Sequence, residues 1–282
     1  MDQAVPVIVL LTDFGLGDPY VGQMKGVLAN SASRAHVVDL SHGVEPYRVA
    51  QAAFFLRASA AYFPPGSIFV CVVDPGVGSE RKMVLAQCGQ SFFLAPDNGL
   101  LSLLLSTTTE DSRLFDVSPA VAPASATFHG RDLFTPLAAR LAAGEKPEEL
   151  GHKLDPAALV RGSWAEPRTE GGSIIASVLH ADRFGNLVLN LSAASWSPRL
   201  PVGGQVRVQS GAGRSMGFGK PGPSRHAARV VTHYAELAPN ELGILVGSQG
   251  YMELALNQAS AAKSLGLGLE AEVTLELPAG SR

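Results

Sequence analysis

Four short clusters in this chain hold residue types that could bind or transform a ligand. The first is Thr12-Asp13-Phe14-Gly15, followed by Asp18 and Tyr20. A carboxylate at a strand end can accept two hydrogen bonds from a ribose diol, and Asp is equally a favoured cap for a following helix. The second is Asp74-Pro75-Gly76-Val77-Gly78-Ser79, with Arg81 close behind. Its glycines let the backbone approach a ligand or simply close a turn. It is not a phosphate loop, because the Gly-x-x-x-x-Gly-Lys-Ser/Thr pattern is absent and Lys82 is misplaced for it. The third, Thr127-Phe128-His129-Gly130-Arg131-Asp132, offers a His that can accept a proton, orient a group or serve only as a loop residue. Asp132 reads as a helix cap, and without a second His at ligand spacing no zinc site is expected. The fourth comprises Asp182-Arg183-Phe184-Gly185-Asn186 and Gly247-Ser248-Gln249-Gly250-Tyr251-Met252-Glu253. Each reads as a hairpin turn, yet Phe184 beside Asn186 also supplies what a purine needs, a flat apolar face and an amide.

The elements that must position these clusters follow from hydrophobic periodicity. Val5–Leu11 is an apolar run of strand length, and Tyr20, Val21, Met24, Val27 and Leu28 then recur at helical spacing. Val37–Leu40 reads as a strand, Val49–Tyr62 as a helix stopped by Pro64-Pro65-Gly66, and Ile68–Val73 as a buried strand. Met83–Cys88 and Phe92–Ala95 pair around Gly89-Gln90; a helix follows Asn98-Gly99, and another starts near Asp132. This alternation predicts a Rossmann-like α/β domain with a largely parallel sheet covered on both faces. Asp13, Asp74 and Asp97 each fall just after a strand, where such sheets collect ligands.

Arg161–Gly172, with its Gly, Ser, Pro and Gly-Gly, reads as a linker. The expected organisation is an N-terminal α/β domain over 1–162, a linker over 163–172 and a β-barrel domain over 173–282. The barrel rests on short strands at Ile174–Leu179, Leu187–Leu191, Val206–Val208, Val230–Thr232, Ile244–Val246, Tyr251–Leu256 and Ala271–Leu277. The Gly/Pro/Ser stretch from Ser210 to Arg225 reads as a mobile loop.

At 282 residues, with 46% hydrophobic and 17% charged residues, the chain can bury a sizeable core. A net charge of -3 with scattered basic residues argues against nucleic acid or an anionic membrane as partner. No signal peptide or membrane span is read from the sequence, and Cys71 and Cys88 are expected to be buried free thiols in a cytoplasmic protein.

Taken together and in order, the clusters resemble the S-adenosylmethionine hydroxide adenosyltransferase family, whose superfamily includes fluorinating and chlorinating enzymes. The resemblance is carried by Leu11-Thr12-Asp13-Phe14-Gly15, Tyr20-Val21-Gly22-Gln23-Met24-Lys25-Gly26 and Val73-Asp74-Pro75-Gly76-Val77-Gly78. It continues through Ala95-Pro96-Asp97-Asn98-Gly99, His129-Gly130-Arg131-Asp132, Asp182-Arg183-Phe184-Gly185-Asn186 and Asn257-Gln258, so it spans nearly the whole chain. It implies an α/β domain and a β-barrel domain assembled as a homotrimer, with the ligand between the first domain of one subunit and the second of the next. The implied reaction is attack of water on C5′ of S-adenosylmethionine, releasing adenosine and methionine, with no cofactor beyond the substrate.

The family's catalytic trio carries over onto Asp74, Arg81 and His129, with the formal base among them left open. Asp13 matches the ribose ligand, and Asn186, with Phe184 nearby, matches the adenine site. Asp182, Ser248 and Glu253 match positions around the methionine end and the adenosine, and Leu256 a backbone contact to the base. Gln249 departs from relatives that carry an aromatic or an Arg there, which leaves the methionine carboxylate without an assigned partner. Two rivals are a halogenase and a non-catalytic S-adenosylmethionine binder. The resemblance implies a hydroxyl residue at the Gly130 position and no histidine in halide users, so His129-Gly130 favours water. A dehydrogenase is excluded because no Gly-x-Gly-x-x-Gly follows the first strand: Gly15-Leu16-Gly17 is followed only by Gly22.

Overall fold

In the computed structural model, residues 5–106, 112–118, 125–210 and 224–277 are described. The chain divides into two compact units, Met1–Gly162 and Ser163–Arg282.

The first unit opens with Val7–Thr12 (β1), Tyr20–Ser31 (α1), His36–Ser41 (β2), Val49–Ser59 (α2) and Ile68–Val72 (β3). It continues with Met83–Cys88 (β4), Ser91–Pro96 (β5), Ser102–Leu105 (α3) and Ser112–Asp116 (β6), then Thr135–Ala142 (α4), Pro147–Leu150 (α5) and His152–Lys153 (β7). The seven strands lie in the order β2-β1-β3-β5-β4-β6-β7. β2, β1, β3 and β5 run parallel. β4, β6 and β7 are added antiparallel, so the sheet is mixed where a largely parallel one was expected. For β4 and β5 the physical reason is the tight Gly89-Gln90 connection. So short a link can only reverse the chain, whereas a parallel neighbour needs a long crossover.

Alternation along the strands divides the interior in two. Ile8 and Leu10 pack with Met24, Leu28, Leu133, Phe134 and Leu137 on the α1/α4 face. Val9 and Leu11 pack with Ala52, Leu56, Leu101 and Leu104 on the α2/α3 face. Burial on both faces is why β1 and β3 read as continuous apolar runs.

The second unit is built from Arg168–Glu170 (β8), Ser173–Ala181 (β9), Leu187–Ser192 (β10), Ala193–Trp196 (α6), Gln205–Ser210 (β11) and Arg225–Val230 (β12). Leu242–Val246 (β13), Tyr251–Leu256 (β14), Ala261–Leu265 (α7) and Glu272–Glu276 (β15) complete it. The order β10-β14-β13-β12-β11-β15-β9, with β10 pairing back onto β9, closes a seven-stranded barrel, and β8 is an extra strand on β9. Residues 168–170, placed in a linker by composition, therefore belong to this sheet. Inward residues alternate, as in Ile174-Ala176-Val178, Leu187-Leu189-Leu191 and Met252-Leu254-Leu256, and fill the barrel. The loop expected between Ser210 and Arg225 falls at 211–223, outside the described residues.

Cys71 is buried, Cys88 is partly buried, and neither is in a disulfide. No helix among the described residues is long and apolar enough to cross a membrane.

Candidate active site

β1 and β3 pair with Thr12 opposite Val72. The residues that leave their carboxyl ends, Asp13 and Asp74, thus start from neighbouring positions on one sheet edge. Asp97 leaves β5, the next parallel strand. Asn98 Nδ2 donates to the Val73 carbonyl at 2.8 Å and holds the chain just before Asp74.

Asp74, Arg81 and His129 touch. Arg81 Nε donates to Asp74 Oδ1 at 2.6 Å, and its Nη2 donates to Asp74 Oδ2. The same Nη2 lies 3.2 Å from His129 Nδ1, across a separation of 48 residues. The Asp74 and Arg81 side chains are only 5% and 10% exposed, so this pair is shielded from solvent screening. A guanidinium can only donate, so Nδ1 must accept and the neutral imidazole carries its proton on Nε2. Burial, then the Arg81 charge, lowers the His129 pKa below its ordinary 6.5, partly opposed by Asp132. Burial also lowers the Arg81 pKa, yet the group stays cationic. Arg81 Nη1 is buried and has no hydrogen-bond partner among the described residues.

The loop carrying His129 enters α4 through a π-helical turn, Gly130–Phe134, in which Thr135 Oγ1 donates to the Gly130 carbonyl at 2.6 Å. Asp132 is held by Arg131, whose guanidinium also lies 4.9 Å from the centre of the Phe128 ring. Phe14 and Tyr20 pack on Phe128 with ring centroids 5.7 and 5.2 Å away, tying the Asp13 loop to the His129 loop. Asp13 Oδ2 accepts from the Tyr47 N–H at 2.9 Å. Tyr47 holds φ at 70°, unusual for a non-glycine residue, and its ring is 70% exposed. Burial raises the Asp13 pKa, against the hydrogen bond from Tyr47.

In the second unit, Asp182 shapes the turn that bears Phe184 and Asn186. Its Oδ1 accepts from the Phe184 and Asn186 N–H groups at 2.9 and 2.8 Å, and its Oδ2 from Asn186 Nδ2 at 2.9 Å. The Asn186 side-chain carbonyl is not used in this turn, and the Phe184 ring is 78% exposed. Glu253 lies on β14 with its side chain outside the barrel and accepts from the Tyr234 hydroxyl. Burial raises the Glu253 pKa, helped by Asp182; burial and Glu253 push the Tyr234 hydroxyl up as well. Ser248 is exposed in the turn between β13 and β14. The Leu256 side chain lies in the barrel core, which leaves only its backbone for a ligand.

Tyr234 and Tyr47 escaped the sequence reading. Tyr234 lies in a short irregular stretch without a motif, and Tyr47 contributes through its backbone, for which side-chain type gives no signal. Among the described residues, no group of three His, Cys, Asp or Glu could hold a metal ion.

Fold and site together define a class: an α/β unit with carboxylates at parallel strand ends, followed by a closed β-barrel bearing its own polar turn. The chain belongs to the SAM hydroxide adenosyltransferase family, whose N-terminal domain model matches residues 8–151 and whose C-terminal domain model matches residues 176–274. A protein of Thermus thermophilus named (R)-S-adenosyl-L-methionine hydrolase is 39% identical over 269 residues, 92% of this chain and 95% of that one. A protein of the same name from Salinispora tropica is 36% identical and covers 93% of this chain and 94% of its own length. A fluorinase from Actinoplanes sp. is more distant, at 25% identity over 95% of this chain and 97% of its own. Among solved structures, an uncharacterized conserved protein from Thermotoga maritima superposes with a TM-score of 0.81 at 29% identity, covering 95% of this chain and 99% of that one.

Proposed function

We propose that the protein hydrolyses S-adenosyl-L-methionine to adenosine and L-methionine. The observation that carries this reading is the buried, mutually bonded trio of Asp74, Arg81 and His129. Water oxygen attacks C5′ as the C5′–sulfur bond breaks, and the bonding pair leaves with sulfur as the neutral thioether of methionine. The sulfonium is a good leaving group, so the protein's task is to orient water and remove its proton. Orientation alone can lower such a barrier by several kcal/mol.

The hydrogen bonding supports the following roles. With His129 Nδ1 committed to Arg81, Nε2–H is a donor that orients the water oxygen. Asp74 Oδ1 accepts from Arg81 and from the Gly76 N–H, Oδ2 keeps a lone pair beyond the one taken by Arg81, and Asp74 is the group left to accept the proton. Arg81 holds both and compensates the carboxylate charge. Asp13 takes the ribose hydroxyls. Asn186 and Phe184 take adenine, and Asp182, Ser248, Glu253 and the Leu256 backbone complete the second set of contacts. No cofactor enters. We assign a cytoplasmic location and a homotrimer that brings the two sets together across subunits.

Gly130 supports water over halide. A Cβ there would stand 3.1 Å from the Phe128 ring, 3.3 Å from Met24 Sδ and 3.3 Å from the Phe14 ring, so a hydroxyl residue would fit only if these side chains gave way by a few tenths of an ångström. The names of the hydrolase relatives support the R sulfonium epimer as substrate. The test is to incubate the protein with each epimer and follow adenosine and methionine by chromatography, with chloride and fluoride as competitors. Equimolar adenosine and methionine, faster from the R epimer, is the expected result. A halo-adenosine product, or binding without turnover, overturns the reading.

The neutral His129 also sets a pH dependence. Protonation would add a proton at Nδ1, break the contact with Arg81 and place two cations together. The kcat/KM profile should therefore fall on the acid side, with its limb below the ordinary histidine value of 6.5. A limb above that value contradicts the neutral, Arg81-bonded imidazole.

A further inference from the structure

Thr12 and His42 are 0% and 5% exposed, and neither belongs to the trio. They are joined at 2.8 Å, Thr12 Oγ1 to His42 Nδ1. Thr12 Oγ1 accepts from the Phe14 N–H at 3.2 Å, which leaves its own proton for His42 Nδ1. The imidazole proton then sits on Nε2, which lies 3.1 Å from Asp39 Oδ1 as a close polar contact outside hydrogen-bond alignment. Asp39 Oδ2 accepts from Lys25 Nζ at 2.6 Å. Burial would raise the Asp39 pKa, but the hydrogen bond from Lys25 and the nearby His42 ring hold it low. The backbone closes the same loop, because the Gly15 N–H donates to the His42 carbonyl at 2.8 Å. Asp13 lies between the two tethered residues, and His42 follows β2 directly after its pairing with β1 ends at Leu11 and Ser41.

We propose that Thr12 and His42 are positioning residues for the Asp13 carboxylate, anchored through Asp39 and Lys25. The inference rests on the reading of Asp13 as the ribose ligand. It also gives a role to Lys25, which the sequence marks but the chemistry of the trio does not use. An Asp that accepts two ribose hydroxyls needs its carboxylate held in place: the Tyr47 N–H fixes one oxygen, and the Thr12–His42 tether fixes the backbone from which the side chain springs. Ribose contacts act equally on ground and transition states, so loosening them raises KM and leaves kcat unchanged.

The readout is the ratio of affinities for adenosine and 2′-deoxyadenosine, measured by calorimetry on the full-length protein, alongside kcat and KM. Asp13→Ala establishes the baseline. If it leaves the ratio intact, the ribose reading itself fails. Given a collapsed ratio there, Thr12→Val is expected to shrink it as well and raise KM by about tenfold, the worth of roughly one hydrogen bond. Thr12→Ser, which keeps the hydroxyl, should restore both. His42→Gln is read in parallel, because Thr12 is fully buried and the valine variant is exposed to misfolding. A ratio that survives in Thr12→Val or in His42→Gln, while Asp13→Ala abolishes it, overturns the positioning role. So does a fall in kcat at constant KM.

Discussion

Replacing Arg81 with lysine is expected to lower kcat about 10²–10³-fold while leaving KM for S-adenosylmethionine nearly unchanged. Lysine keeps the positive charge but not the planar fork. Arg81 spends Nε and Nη2 on both oxygens of Asp74 and directs Nη2 to His129 as well. A single ammonium cannot hold those groups in one arrangement, and the water then loses its fixed line to C5′. Substrate affinity should survive, because the ribose and adenine contacts are assigned to other residues. Alanine is the harsher change. It strands the carboxylate of Asp74, 5% exposed, without its partner. Breaking a buried pair in that way costs about 3–5 kcal/mol, so melting temperature must be measured beside activity. Full kcat in the lysine variant would remove Arg81 from its assigned role.

Gly185→Ala is expected to destabilise the barrel unit by about 2–5 kcal/mol, the sum of left-handed strain and overpacking. Gly185 has φ of +86°, and an added Cβ would stand 2.1 Å from Ser260 Oγ and 2.8 Å from Ser260 Cα. The side chain cannot simply rotate away, because the backbone itself is in contact. Ser260 is further held as the cap of α7, accepting from the Lys263 N–H at 3.1 Å. The Gly185 carbonyl also accepts from the Ala262 N–H at 2.9 Å, so relief would pull the turn off the helix start. Phe184 and Asn186 flank this glycine, and adenosine affinity should fall with stability. Gly171→Ala is the control, since φ there is +57° but nothing lies within 4 Å, leaving strain alone. Equal urea midpoints for the two variants would show that the Ser260 contact does not matter.

The strands that bear the site were legible because burial on both faces leaves long apolar runs, as in Val7–Thr12 and Ile68–Val72. The barrel strands were legible through period-two alternation, although β12 lies at Arg225–Val230 rather than at Val230–Thr232. Arg225 is exposed and His226 half-buried, and neither carries an apolar signal. β8 was illegible for the same reason: all three of its residues are exposed. The helix after His129 was visible, but its opening π turn was not, because one extra residue in a turn leaves the apolar spacing of Leu133, Phe134 and Leu137 nearly intact.

The order of residue types along the chain determined the two kinds of architecture, the strand ends that carry Asp13, Asp74 and Asp97, and the candidates for chemistry. These depend on local periodicity and on short motifs, which a linear sequence displays directly. Only the tertiary structure decided which candidates meet. It joined Arg81 to His129 across 48 residues, and that contact makes Nδ1 the accepting ring nitrogen. It turned Asp182 inward to build its own turn, and paired Glu253 with Tyr234. It also linked His42 to Thr12, 30 residues away. Such contacts follow from strand order and register, which bring distant segments to one sheet edge, and neither is written in the period of any single segment.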